Sequence, residues 1–182
     1  MICKIKQCEK CELCLNQEPL LDREKECEIF WVGLSAKKVS SEEEIPLSPE
    51  TNTGMLISKI EDLCEEVSTY KTNLVKCLPL NEQQKLRYPN NSEIDACFHN
   101  LTIELKELSP KIVFLLGVKV SSAIKKHFNL NFEEWNYFEY KYQEYQNTYY
   151  VPIHHPSYIY VYKRKEVDAY IKGVEKIIYE LL

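Results

Sequence analysis

The chain has 182 residues, is 45% hydrophobic and 28% charged, and carries a formal net charge of −5. That length leaves room for one core, and the composition excludes a disordered tail, a fibre and a uniformly basic nucleic-acid coat. Charge is uneven: residues 1–110 hold 13 Lys/Arg against 20 Asp/Glu, while 111–182 hold 10 against 8, which makes the C-terminal part the better match for a phosphate backbone.

The start, Met1-Ile2-Cys3-Lys4-Ile5-Lys6, lacks the apolar core of an export signal, and no later run nears the roughly 20 apolar residues that span a bilayer. A cytoplasmic chain with no membrane contact is the expectation. Residues 1–26 are Cys-rich, acidic and nearly aperiodic. A buried strand is predicted over 27–33, then a loop over 34–52 with the acidic run Glu42-Glu43-Glu44 and the prolines Pro46 and Pro49. Thr53 opens a helix that presents Met55, Leu56, Ile60 and Leu63 on one side. A second strand covers 70–76. The long loop 77–91 follows, of a length that is usually functional or anchored. Ser92 reads as the N-cap of a helix reaching Leu108, with Asp95 as a short-armed capping partner. Residues 111–116 are continuously apolar, as in a parallel strand covered on both faces. A short helix over 118–128, two strands or a hairpin in the Tyr-rich stretch 135–151, and an amphipathic helix over 165–182 complete the order. The alternation predicts one α/β domain over 1–182, a three-layer α/β/α sandwich with a mainly parallel sheet and ligands at the carboxyl ends of its strands. Gly33 and Gly117, two of only 4 glycines, then read as tight turns at that edge.

Four constellations stand out. All 8 cysteines (Cys3, Cys8, Cys11, Cys14, Cys27, Cys64, Cys77, Cys97) lie in the first 97 residues, and a reducing compartment favours ligation over disulfides. Cys8 and Cys11 form a C-x-x-C pair that two remote thiolates, Cys77 and Cys97, would complete around iron or zinc, tying down the N-terminal segment. Cys11 and Cys14 form a second such pair, so the spacing leaves the choice open. Asn73, near the end of a buried strand, offers the donor and acceptor that reading a base edge requires. His154-His155-Pro156-Ser157 puts a histidine at a strand end, where it can donate to developing negative charge. In Tyr158-Ile159-Tyr160-Val161-Tyr162-Lys163-Arg164-Lys165, aromatics interleave with a basic triplet, a pattern suited to stacking on bases beside phosphates.

Taken in order these residues resemble the iron–sulfur groups, families 4 and 5, of the uracil-DNA glycosylase superfamily. The matching text is Cys8-x-x-Cys11-x-Leu13, Val32-Gly33, Thr53-Gly54-x-Leu56 and Tyr70-Lys71-Thr72-Asn73-Leu74-Val75-Lys76-Cys77-Leu78-Pro79. It continues through Glu93-Ile94-Asp95-Ala96-Cys97, Pro110-Lys111-Ile112-Val113, Leu116-Gly117 and His155-Pro156-Ser157-Tyr158. The resemblance implies a structural 4Fe–4S cluster on Cys8, Cys11, Cys77 and Cys97, with zinc as the other occupant the spacing admits. It implies an enzyme that flips a uracil or related pyrimidine from DNA and hydrolyses its N-glycosidic bond, acting as a monomer. Asn73 would read the base, with Gly33, Leu34, Ser35 and Leu47 around it, and His155 would stabilise the departing base anion. Ser157 and a loop bearing Tyr158 or Tyr160 would enter the duplex, and Lys163, Arg164 and Lys165 would grip phosphates.

The departures are specific. Family 4 carries G-E-A-P-G after its first strand and family 5 G-L-A-P-A; here the text is Gly33-Leu34-Ser35-Ala36-Lys37, with no carboxylate. Family 5 takes its carboxylate from a later turn, which here reads Pro46-Leu47-Ser48-Pro49-Glu50-Thr51-Asn52-Thr53-Gly54, so Glu50 is the substitute, unless the aligned position is Thr51. Both families stack an aromatic on the base just after a proline, where this chain has Leu47. A modified pyrimidine, or DNA binding without catalysis, are the alternatives these departures raise.

Overall fold

The computed structural model describes residues 2–41, 43–133 and 135–182; Met1, Glu42 of the acidic run and Glu134 lie outside the described residues. In chain order the elements are α1 (Ile2–Lys6), β1 (Ile29–Ser35), α2 (Asn52–Glu61), β2 (Thr69–Val75), α3 (Asn91–Leu108), β3 (Ile112–Leu116), α4 (Val118–Phe128), β4 (Gln143–Tyr145), β5 (Thr148–Ile153), α5 (Pro156–Tyr162) and α6 (Val167–Leu181), with 3₁₀ turns at Glu12–Leu15 and Arg164–Glu166. The sheet order is β2-β1-β3-β5-β4. All pairings are parallel except that of β4 with β5.

The continuously apolar β3 shows why the sheet is covered twice. Successive side chains point to opposite faces, so Ile112, Phe114 and Leu116 join one core with Trp31 of β1, Leu56 and Ile60 of α2, and Tyr170 and Val174 of α6. Val113 and Leu115 join a second core with Phe30 of β1, Phe98 and Leu101 of α3, and Val120 and Ile124 of α4. The result is the expected three-layer α/β/α sandwich. Among the described residues no helix is long and apolar enough to cross a membrane.

Several boundaries differ from expectation. β1 continues to Ser35, so Gly33 is a strand residue opposite Asn73 and not a turn. α2 is capped by Thr51, whose side chain accepts from the Gly54 amide at 3.0 Å, and ends at Glu61. Ile57 is therefore buried, while Leu63 is 48% exposed. Asn90, not Ser92, caps α3, and its capping-box partner is Glu93. Asp95 instead faces Lys126 and His127, each at 2.8 Å. The segment after Pro156 is the helix α5 and not a loop, and the last helix begins only at Val167.

The N-terminal segment is more ordered than its pattern suggests. Ile5 and Leu13 are buried, and residues 20–22 run along the outer edge of β2: the Leu20 amide donates to the Lys76 carbonyl (2.8 Å), and the Lys71 amide to Asp22 Oδ2 (2.9 Å). Covering an open strand edge removes a template for pairing with another chain. The long loop before α3 is anchored as well. Arg87 is paired with Glu93 at 2.5 Å and donates to the Leu80 carbonyl at 2.9 Å, and its guanidinium holds the Glu93 carboxyl below the ordinary carboxylate range.

Candidate functional site

Gly33 lies opposite Asn73 in the β1–β2 register. A side chain at Gly33 would collide with Asn73 Oδ1 and stand 2.9 Å from Leu47 Cδ2. The missing Cβ is what lets the Asn73 amide and Leu47 lie over the strand. Leu47 reaches there with φ 54°, a left-handed conformation that is uncommon for a branched side chain. Asn73 is only 3% exposed. Among the described residues its side-chain amide has no hydrogen-bond partner in the protein. With no bond to make inside the protein, the amide keeps its donor and acceptor for a group from outside the chain. Leu34 does not share the site; it packs against the opposite core, with Val32 and Leu74 among its members, because side chains alternate along β1. Ser35 closes β1 opposite Val75, half-buried.

Two strands away, Gly117 follows β3 with φ +88°, a conformation open to glycine. A Cβ there would approach the His155 Cβ at 3.2 Å, so the glycine gives the imidazole its seat. His155 is the N-cap of α5, and its Nδ1 accepts from the Ser157 amide (3.3 Å) beside the Ser157 hydroxyl at 2.8 Å. That bond assigns the neutral ring's proton to Nε2, leaving a free donor. Burial holds the His155 pKa below the ordinary histidine value, which keeps the ring neutral. His154 points elsewhere: its Nδ1 meets the Tyr140 hydroxyl at 3.0 Å, and its rings of contact include Phe138 and Trp135.

Glu50 is exposed on the loop that carries Leu47, and its amide faces Ser48 Oγ at 3.5 Å. Its carboxylate makes no hydrogen bond or ion pair among the described residues. The neighbouring Thr51 is committed to capping α2. Glu44 of the acidic run is ion-paired with Lys37.

The thiols gather beneath β2. Cys77, Cys97, Leu13 and Val75 form a small buried cluster, with Cys11 and Cys14 packed against it. Cys97 Sγ accepts from the Lys76 amide at 3.3 Å, and Asn100 Nδ2 lies 3.3 Å from Cys8 Sγ and 3.7 Å from Cys97 Sγ. Cys14 behaves differently and donates its S–H to the Cys11 carbonyl at 3.2 Å. Burial raises the thiol pKa of Cys11 and Cys97, and that of Cys77 to about 12, so a metal centre binding there would displace protons. Among the described residues no three His, Cys, Asp or Glu side chains form a group that could hold a metal ion. Four soft thiols, two of them met by N–H donors, nevertheless fit the chemistry of an iron–sulfur cluster.

Between the thiols and Asn73 stands a buried ion pair that joins the two. Lys76 and Glu104 are both 0% exposed and meet at 2.5 Å. Lys76 Nζ also donates to Thr72 Oγ1 and to the Asn73 carbonyl, each at 2.6 Å, while the Tyr70 and Thr72 hydroxyls donate to the Glu104 carboxylate at 3.1 and 3.0 Å. The backbone of Asn73 is thus pinned from below.

On the outer surface α5 presents Tyr158 (44% exposed), Val161 and Tyr162. Tyr160 does not join them; it packs against the core, under Arg164 at 5.3 Å. Arg164 and Lys165 are exposed, whereas Lys163 is paired with Glu166 at 3.1 Å.

Over residues 22–178 the chain matches the family described as the Uracil DNA glycosylase superfamily. The chain belongs to this superfamily. A curated relative, the Type-4 uracil-DNA glycosylase of Saccharolobus solfataricus, is 28% identical over 171 residues, covering 85% of this chain and 73% of the relative. The crystal structure of wild-type SMUG2 from Pedobacter heparinus superposes with a TM-score of 0.59 at 13% identity, covering 87% of this chain and 77% of that one, a likeness of fold alone. Gly33, Asn73, Gly117 and His155 all lie within the stretch matched to the uracil-DNA glycosylase superfamily, while Cys8 and Cys11 precede it.

Sequence reasoning passed over Asn100 and Glu104. Both share a helical face with Cys97, at spacings of three and seven residues. Polar residues at those two positions of an otherwise buried stripe were the available signal.

Proposed function

We propose that this chain is a DNA glycosylase that flips a uracil or a related pyrimidine out of DNA and hydrolyses its N-glycosidic bond. The observation that carries the reading is the Asn73 amide, held over Gly33 at the carboxyl edge of the sheet, whose side chain makes no hydrogen bond among the described residues. Such a group can pair with the Watson–Crick edge of an extruded base. His155 donates from Nε2 to the base oxygen as negative charge develops there; one such donor is typically worth about 10²–10³ in rate. Glu50, presented by the same loop as Leu47, is the carboxylate for the cationic sugar. Tyr158 is the wedge that fills the vacated stack, and Arg164 and Lys165 are the free cations for phosphates. Cys8, Cys11, Cys77 and Cys97 would hold a 4Fe–4S cluster, which supplies a structural anchor. The support for this ligand set is the gathering of Cys77 and Cys97 with Cys11 packed against them, and the Asn100 amide between Cys8 and Cys97.

A second reading, a modified pyrimidine as substrate, is favoured by Leu47. It stands where an aromatic would stack and leaves a differently shaped wall. The test is single-turnover excision by the full chain on a uracil-containing single strand, with His155→Ala as control. Excision that falls by about 10² or more in the variant supports the assignment. Excision unchanged in the variant removes His155 from the chemistry. No excision of uracil, with release of a 5-substituted pyrimidine instead, moves the substrate to the second reading. Release of neither from iron-loaded protein overturns the enzyme reading.

A further inference from the structure

We propose that Asn100 is a positioning residue for the sulfur site, its side-chain amide donating to two thiolates and tuning the charge the cluster can carry. The inference rests on the reading of these thiols as cluster ligands and goes beyond it. Asn100 is 3% exposed on α3, one turn after Cys97, among residues that are otherwise core. A buried amide in that position is costly unless its N–H groups find acceptors. The acceptors it meets are sulfurs: Cys8 at 3.3 Å and Cys97 at 3.7 Å, from segments 89 positions apart in the chain. Cys97 takes a further N–H from the Lys76 backbone at 3.3 Å.

The direction of these bonds matters. An N–H donor favours negative charge on the sulfur that receives it, and donation to cluster sulfurs is one of the levers that set a cluster's reduction potential. Reduction adds negative charge to the cluster, so the donors stabilise the reduced state and raise the midpoint. Cys14 supplies the internal contrast. Its own S–H points away to the Cys11 carbonyl, and among the described residues no N–H donor meets its sulfur. Asn100 therefore also distinguishes Cys8 from Cys14 as the partner of Cys97.

The experiment uses the full chain, iron-loaded anaerobically, as wild type, Asn100→Leu and Asn100→Asp. Iron content is measured first, then the midpoint by reductive titration with dithionite, and the electron paramagnetic resonance of the reduced cluster. The expected order of midpoints is wild type above Leu above Asp, since Leu removes the donor and Asp adds a negative charge at the same place. A Leu variant with full iron and an unshifted midpoint overturns the proposal. Wild-type protein that binds no iron overturns the cluster reading and the proposal with it. Should the variants fail to fold, unmodified protein labelled with nitrogen-15 in its asparagine side chains provides the test. Pulsed resonance on the reduced cluster is expected to show coupling to an amide nitrogen, and its absence refutes the assignment.

Discussion

Lys76→Met is the most informative single change, because it removes one charge from a pair that has no contact with water. Breaking a buried ion pair from one side typically costs about 3–5 kcal/mol, since the other charge is left behind. Here the remaining Glu104 carboxylate would keep the Tyr70 and Thr72 hydroxyls as donors. The cost is therefore expected near the lower end, about 3 kcal/mol. The reverse change, Glu104→Leu, leaves an ammonium with only the neutral Thr72 hydroxyl and Asn73 carbonyl, and also orphans the Tyr70 hydroxyl. Its expected cost is higher, about 5 kcal/mol. The double variant Lys76→Met/Glu104→Leu buries no charge and should fall short of the sum by about 3 kcal/mol, the coupling expected of residues in one network. Urea unfolding of the iron-loaded protein reads this directly. With a slope of about 2 kcal/mol per molar, Lys76→Met moves the midpoint down by about 1.5 M. Additive costs, or single changes that cost under about 1 kcal/mol, would refute the view that these two residues form one buried unit.

Three further outcomes follow from the same geometry. Gly33→Ala should displace the Asn73 amide and Leu47 while leaving the strand intact; discrimination of uracil from cytosine in single-turnover excision is expected to drop about tenfold or more, with stability changed by less than about 1 kcal/mol. The β4–β5 turn places both Gln146 and Asn147 at positive φ (52° and 61°); Asn147→Gly should stabilise the protein by about 1 kcal/mol, measured as a higher urea midpoint. Burial lowers the folded-state pKa of both His154 and His155; the unfolded chain then binds more protons as the pH falls through about 6.5, so stability should decline below that pH while excision stays level from pH 7 to 9. An excision rate that rises as the solution is acidified would show that the imidazolium, not the neutral ring, is the active form.

How far the sequence could be read depended on the reach of each interaction. β3 was legible because five consecutive apolar residues serve two cores at once. Asn73 and His155 stood out in the sequence as single residues near strand ends, and the structure puts Asn73 late in β2 and His155 just after β5. α5 was not. Tyr158-Ile159-Tyr160-Val161-Tyr162 alternates like a strand and is rich in residues that favour sheets, yet Pro156 at its first turn and the His155 cap set a helix. That helix decides which aromatic faces outward, and it separates Tyr158 from Tyr160. The Lys76–Glu104 pair spans 28 positions and exists only once α3 has packed on β2; nothing local to either residue announces it. Leu34 and Leu47 were grouped around one base because one follows Gly33 in the first motif and the other follows Pro46 where the families stack an aromatic. Strand alternation sends Leu34 to the far side of the sheet.

The outer edge of β2 has a consequence of its own. It is closed by one main-chain bond from Leu20 and one side chain, Asp22, on a segment with little core beneath it. A cluster on Cys8, Cys11, Cys77 and Cys97, as proposed, would therefore also hold this edge closed. A molecule that let go of residues 1–26 would offer a seven-residue strand edge to its neighbours. Such an edge is a template for pairing, so release of that segment is expected to show as self-association of molecules whose sheet is still intact.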